Sequence, residues 1–321
     1  MRWRVLSPFF LGFAWVVLPV VAQAKLCGDD VNGQDVPCAC GDTVVSSVVL
    51  ADDPIVSQPC AADGLIVRAL GASHGVTIDL AGKTLRGKGH GTGIWVVYGG
   101  PGGARLVSSG QTATLDGFRD GVIGSGSDSI HLVQGVRARR SARDGFRLHT
   151  DFYEVRNAEA ILSGRDGFSV SGAGFIISGS LAQNSTRHGY LVMGIDANVG
   201  LPGAGDTAEG NGADGFHILG AGHSLVDCIS QENGKNGVNL GEVNYEVKGC
   251  TAQNNGEDGI KGSGMNWQLS RNRALNNNND GLVVRGSGVE DAGGNEGSGN
   301  QGALDRRPGV QCRINGAPCR Q

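Results

Sequence analysis

The sequence predicts an all-β chain wound into a single-domain right-handed parallel β-helix, a solenoid of stacked coils of about 22 residues. Three observations carry this. A glycine returns at a near-constant interval, an apolar pattern of period two fills each interval, and like residues fall into columns once the intervals are aligned.

The recurring unit is a polar residue, a glycine and a large apolar residue. It reads Asp120-Gly121-Val122, Asp144-Gly145-Phe146, Asp166-Gly167-Phe168 and His188-Gly189-Tyr190 in the first half. It continues as Asp214-Gly215-Phe216, Asn236-Gly237-Val238, Asp258-Gly259-Ile260 and Asp280-Gly281-Leu282. The glycines stand 24, 22, 22, 26, 22, 22 and 22 residues apart, with Gly302 a further 21 on and fainter marks at Gly64 and Gly93. Glycine makes up 56 of 321 residues, more than twice the usual share of about 7%.

Inside a unit, Phe146 and Leu148 alternate with Arg147 and His149, as Phe216 and Ile218 do with His217. That is a strand with one buried face. A second apolar patch follows about ten residues later, as in Ile176-Ile177 and Leu225-Val226. Units this short cannot enclose a core, so they must stack, which places like positions about 4.8 Å apart. Aligned on the glycines, Phe146, Phe168, Tyr190 and Phe216 form an aromatic column that passes into Val238, Ile260 and Leu282. Fifteen residues after the glycine stand Ala160, Ala182, Ser230, Ala252 and Ala274, as a tight inner corner demands. Four before it stand Asn211, Asn233, Asn255 and Asn277, suited to left-handed turns and to amide hydrogen bonds along the axis. The 26-residue coil is expected to carry a loop around Leu201 to Asp206.

In chain order, residues 1–24 read as a signal peptide: Arg2 and Arg4, an apolar run from Val5 to Val21, then Ala22-Gln23-Ala24 as the cleavage site. Residues 25–62 form an N-terminal cap, 63–303 a helix of about ten coils, and 304–321 a C-terminal cap. Cleavage removes two arginines and takes the net charge from −4 to −6, which argues against nucleic acid. A secreted, periplasmic or cell-surface monomer is expected, touching membrane only through the signal peptide during export. All eight cysteines follow the cleavage site, which suits an oxidising destination. Cys228 and Cys250 lie 13 residues past Gly215 and Gly237, hence at the same position of adjacent coils and within reach of a disulfide.

The segments Cys40-Gly41-Asp42-Thr43-Val44, Cys60, Asp63-Gly64-Leu65-Ile66-Val67 and Val76-Thr77-Ile78-Asp79-Leu80-Ala81-Gly82-Lys83-Thr84-Leu85 resemble the opening of exported bacterial proteins of the pectin-lyase-like superfamily. The resemblance runs from about Cys40 to the C-terminus. It implies a parallel β-helix but no single function, because the superfamily includes polysaccharide lyases, hydrolases, epimerases and adhesins. It also implies a cap in which Cys40 pairs with Cys60 and Cys27 with Cys38, and an end closed by Cys312 with Cys319.

Two motif matches fail on context. Gly71-Ala72-Ser73-His74-Gly75 fits a nucleophile elbow, but a strand rather than a helix follows it. Gly89-His90-Gly91 resembles a polygalacturonase motif without that branch's companion elements, and reads as a turn. The aspartates before the glycines do not make a calcium ladder, since His188 interrupts them, and no metal or cofactor is expected. Arg119, Arg143, Arg165 and Arg187 run beside them, either as partners for those carboxylates or as a basic stripe for an anionic polymer.

Two residues past each glycine the strand faces outward with Arg147, Ser169, Leu191, His217, Asn239, Lys261 and Val283, with His149 beside Arg147. Arg147, His149, His217, Asn239 and Lys261 are the candidate substrate-binding residues, and His217 and Lys261 the candidate catalytic ones. No acidic partner accompanies them in this reading, and no aromatic stands on the face. The leading expectation is therefore a non-catalytic exported protein that binds polysaccharide along this face. A lyase, hydrolase or epimerase acting on an acidic glycan, and a structural surface spacer, are the alternatives.

Overall fold

The computed structural model describes residues 25–302, 312–314 and 317–319. The expected signal peptide at 1–24, most of the 304–321 cap and the Cys312 side chain lie outside the described residues. Each coil contributes one strand to each of three sheets, of 15, 10 and 11 strands. In one coil these are Phe146–His149, Glu154–Arg156 and Glu159–Ile161. The long sheet is parallel except for Gln34–Val36 at one end and Ala317–Pro318 at the other. Ten of its strands fall within 63–303, and the parallel ladder continues into 25–62 through Leu26–Val31 and Asp42–Val44. One short helix, Pro54–Ser57, sits in that first segment. Among the described residues no helix is long and apolar enough to cross a membrane.

The register is the one the glycines imply. Phe146 pairs with Phe168, Phe168 with Tyr190, and Tyr190 with Phe216. Their rings stack in the interior with centroids 4.7–4.8 Å apart. All four are fully buried. Such offset or parallel ring contacts add stability beyond the area they bury.

The repeat glycines are required by packing rather than by dihedral angle. A Cβ on Gly237 would lie 2.6 Å from the Gly259 carbonyl oxygen and 2.8 Å from the Ala252 methyl. Gly167 meets Gly189 and Ala182 in the same way, at 2.7 and 2.9 Å. The glycine column and the small-residue column are thus two sides of one contact across a flattened coil.

The asparagine column corrects one part of the sequence reading. Asn211, Asn233, Asn255 and Asn277 are not in the left-handed region; the residues that are, such as Asn157, Asn184, Asn244 and Asn276, stand at other bends. What holds the column is hydrogen bonding. Each Nδ2 donates to the next Oδ1 at 2.9–3.0 Å, ending on Asn300. The same oxygens accept backbone N–H groups at 2.9–3.1 Å. The four-residue insertion of the long coil is a tight turn in which Leu201 bridges Ala204. Asp206, expected in that loop, is instead fully buried at an inner turn. A buried carboxyl needs partners, and it accepts the Ser180 and Gly200 N–H groups.

Among the described residues, disulfides join Cys27 to Cys38, Cys40 to Cys60 and Cys228 to Cys250, with Cα separations of 5.2, 5.3 and 4.4 Å. Such crosslinks suit an oxidising compartment.

Candidate functional site

The long sheet turns one face outward, and its pairing continues the column two residues past the glycine in both directions. Trp95 pairs with Ile123, Ile123 with Arg147, and Arg147 with Ser169. Leu191 then pairs with His217, His217 with Asn239, and Asn239 with Lys261. The face therefore does carry an aromatic. Trp95 stands two past Gly93, a coil mark too faint for the sequence reading to follow.

At the Trp95 end the surface sinks into a groove of about 470 Å³ lined by Asp63, Thr92, Trp95, Arg119, Arg147 and His149, among others. Asp63 Oδ1 accepts the Thr92 N–H at 2.7 Å and fixes the groove's edge. Arg119 bonds Asp120 at 3.0 Å, and Arg147 approaches the same carboxyl at 4.0 Å. His149 Nδ1 lies 2.6 Å from the Ser171 hydroxyl. Burial, helped by the Arg147 charge, lowers the His149 pKa and favours its neutral form.

Behind this face runs the row of carboxylates that precede the glycines. Arg165 joins Asp144 and also reaches Asp166 at 3.6 Å, while Arg187 pairs with Asp166 at 3.1 Å. Arginine and aspartate thus neutralise each other from coil to coil, as the first of the two sequence readings has it. A second cleft, of about 370 Å³, lies between Asn239, Lys261 and Arg285. There Lys261 Nζ pairs with Asp258 at 3.1 Å.

Three strands to a coil, paired in parallel from coil to coil in three sheets, decide the architecture. The chain is a three-sheeted parallel β-helix. No protein-family model and no curated protein matches this sequence. Among solved structures, it is similar to the A-module of the Azotobacter vinelandii mannuronan C-5 epimerase AlgE4, with a TM-score of 0.47 and 16% identity over 85% of this chain and 84% of that one. It is also similar to a D317A mutant of the periplasmic alginate epimerase AlgG, with a TM-score of 0.38 and 11% identity over 80% and 65% of the two chains. Tailspike protein 3 of bacteriophage CBA120 gives a TM-score of 0.35 and 11% identity over 92% and 57%.

Midway along this β-helix, the structure brings His217 and Asn239 together over a carboxylate the sequence reading had not joined to them. Asp214 Oδ2 lies 2.9 Å from His217 Nδ1 and accepts Asn239 Nδ2 at 3.1 Å. Asp214 Oδ1 accepts Asn236 Nδ2 at 2.8 Å. Burial pushes this carboxyl up, but the bonds from His217, Asn239 and Asn236 together hold it at about 2. His188, one coil earlier, stacks its ring on His217 at 4.7 Å and turns Nδ1 to within 3.7 Å of the same oxygen. Lys261 keeps to Asp258, and Arg147 and His149 stay with the Trp95 groove. The five candidate residues therefore divide between the Trp95 groove and the stretch from His217 to Lys261, where Asn239 joins the Asp214 contacts to the Lys261 cleft, and do not share a single pocket.

Proposed function

We propose that the protein is exported and binds an acidic polysaccharide along the outward face of its long sheet. The observation that carries this is the groove in which Trp95 lies with Arg119, Arg147 and His149. An aromatic face offers an apolar platform, and a guanidinium offers paired donors matched to a carboxylate. Together they suit a chain of acidic sugars better than a neutral one. A surface spacer would need neither. The regular spacing of coils, about 4.8 Å, lets an extended polymer follow the face from Trp95 towards Lys261.

Affinity electrophoresis against uronate polymers and neutral glucans tests the reading. Wild type is expected to be retarded by at least one uronate polymer and not by the glucans, with retardation falling as salt rises. W95A and R147A should each weaken binding by about tenfold or more. Absence of retardation on every uronate polymer would end the proposal. The His217–Asp214 hydrogen bond favours one alternative, general-base chemistry next to an uronate carboxylate. Following the same mixtures for unsaturated products reads that alternative directly.

A further inference from the structure

Asp120, Asp144, Asp166, Asp214 and Asp258, each just before a repeat glycine, are buried, and a buried charge needs a counter-charge. Arg119 supplies one to Asp120, Arg165 to Asp144, Arg187 to Asp166 and Lys261 to Asp258. Asp214 breaks the series. The position that carries arginine at 119, 165 and 187 is Ala213 here. The groups that touch its carboxyl are Asn236, Asn239, His188 and His217.

We propose that Asp214 Oδ2, His188 Nδ1 and His217 Nδ1 bind a divalent transition-metal ion, zinc by donor preference. One ligand atom from each of His188, Asp214 and His217 lies within 4.8 Å of the other two. Donors on a tetrahedral zinc with bonds of about 2.1 Å stand about 3.4 Å apart. The separations from Asp214 Oδ2, 3.7 Å to His188 and 2.9 Å to His217, bracket that figure. His188 Nδ1 is buried without a hydrogen-bond partner and stands 3.7 Å from the Asp214 carboxylate, a nitrogen that nothing else in the fold uses. Asn236 and Asn239 hold the carboxyl in place, as outer-shell groups do around metal ligands.

Three protein donors leave coordination positions open on the outward side, since the His188 and His217 side chains are 15% and 25% exposed. The inference does not depend on polysaccharide binding.

Cobalt(II) titration of the chelator-treated full chain tests it, because cobalt in such a site absorbs visible light. One equivalent should bind with a visible band, and zinc should displace it. H188Q/H217Q, and H217Q alone, should lose at least about tenfold in affinity while the far-ultraviolet dichroism is kept. H74Q/H90Q, which removes two exposed histidines elsewhere, should change nothing. No visible band, or an affinity unchanged in H217Q and in the double variant, would overturn the site.

Discussion

Asp206 and Asp214 are two buried aspartates in neighbouring stretches of chain with opposite titration behaviour. Asp206 accepts two backbone N–H groups, both at 2.8 Å, yet burial prevails and pushes it up to about 7. An unfolded aspartate titrates near 3.9, so between about 4 and 7 the folded state binds the extra proton. The Asp206 contribution to stability is therefore complete below about pH 4 and is lost as pH rises through 7. Asp214 works the other way, its contribution present above about pH 4 and lost as pH falls towards 2. Melting temperatures between pH 5 and 8 should decline for wild type and flatten in D206N, which keeps a carbonyl acceptor for one of the two N–H groups. Parallel curves for the two proteins would refute the assignment.

At the level of elements, the polar column at the inner turn does for the coil corner what a sheet ladder does for its sides. Asn277 donates to Asn300 Oδ1 and the Ala252 carbonyl, and accepts from Asn255 through both N and Nδ2. Asn278, its neighbour in sequence, is exposed. N277A strands several buried groups at about 1–3 kcal/mol each, so a loss of about 3 kcal/mol in unfolding free energy is expected. N278A should stay within about 0.5 kcal/mol. Equal values from denaturant titration would show that the ladder contributes nothing special.

The columns that were legible in the sequence are those whose residue type repeats: Gly, Ala, the Phe and Tyr stack, and this Asn run. A second inner column passes through Ser180, Asp206, Cys228, Cys250, Asn272 and Asn295, joined by bonds such as Cys250 N to Asn272 Oδ1 at 3.0 Å. It escaped notice because the residue type changes from coil to coil while the role stays the same. A second ring column, Tyr153 stacked on Phe175 and then His223 on Tyr245 with Trp267 tilted against it, is less legible because the ring type changes and Ala197 interrupts it. At the candidate site, the outward alternation located His217, Asn239 and Lys261. In sequence Asp214 resembles one more member of a charge row, and what sets it apart is that its contacts are His188, His217 and two asparagines where the others have Arg or Lys.

Taken whole, the molecule is nearly one-dimensional: each coil packs only on its two neighbours, so local stability need not be shared along the axis. Among the described residues, Cys27–Cys38 and Cys40–Cys60 sit at the N-terminal end and Cys228–Cys250 ties adjacent coils in the body. That bond closes a segment with a sequence separation of 22, and loop-closure entropy sets its contribution at about 3 kcal/mol. In a solenoid this should be felt locally. Hydrogen exchange on C228A/C250A should show lost protection in the strands from Thr207–Glu209 to Arg273–Leu275, with little change in Leu65–Arg68 or Thr92–Tyr98. C40A/C60A should give the converse, loosening the first coils and sparing the Cys228 region. If either pair of substitutions lowered protection evenly over all coils, the helix would be unfolding as one cooperative unit. The coil-by-coil picture would then fail for this chain, even though its packing is built entirely from neighbour contacts.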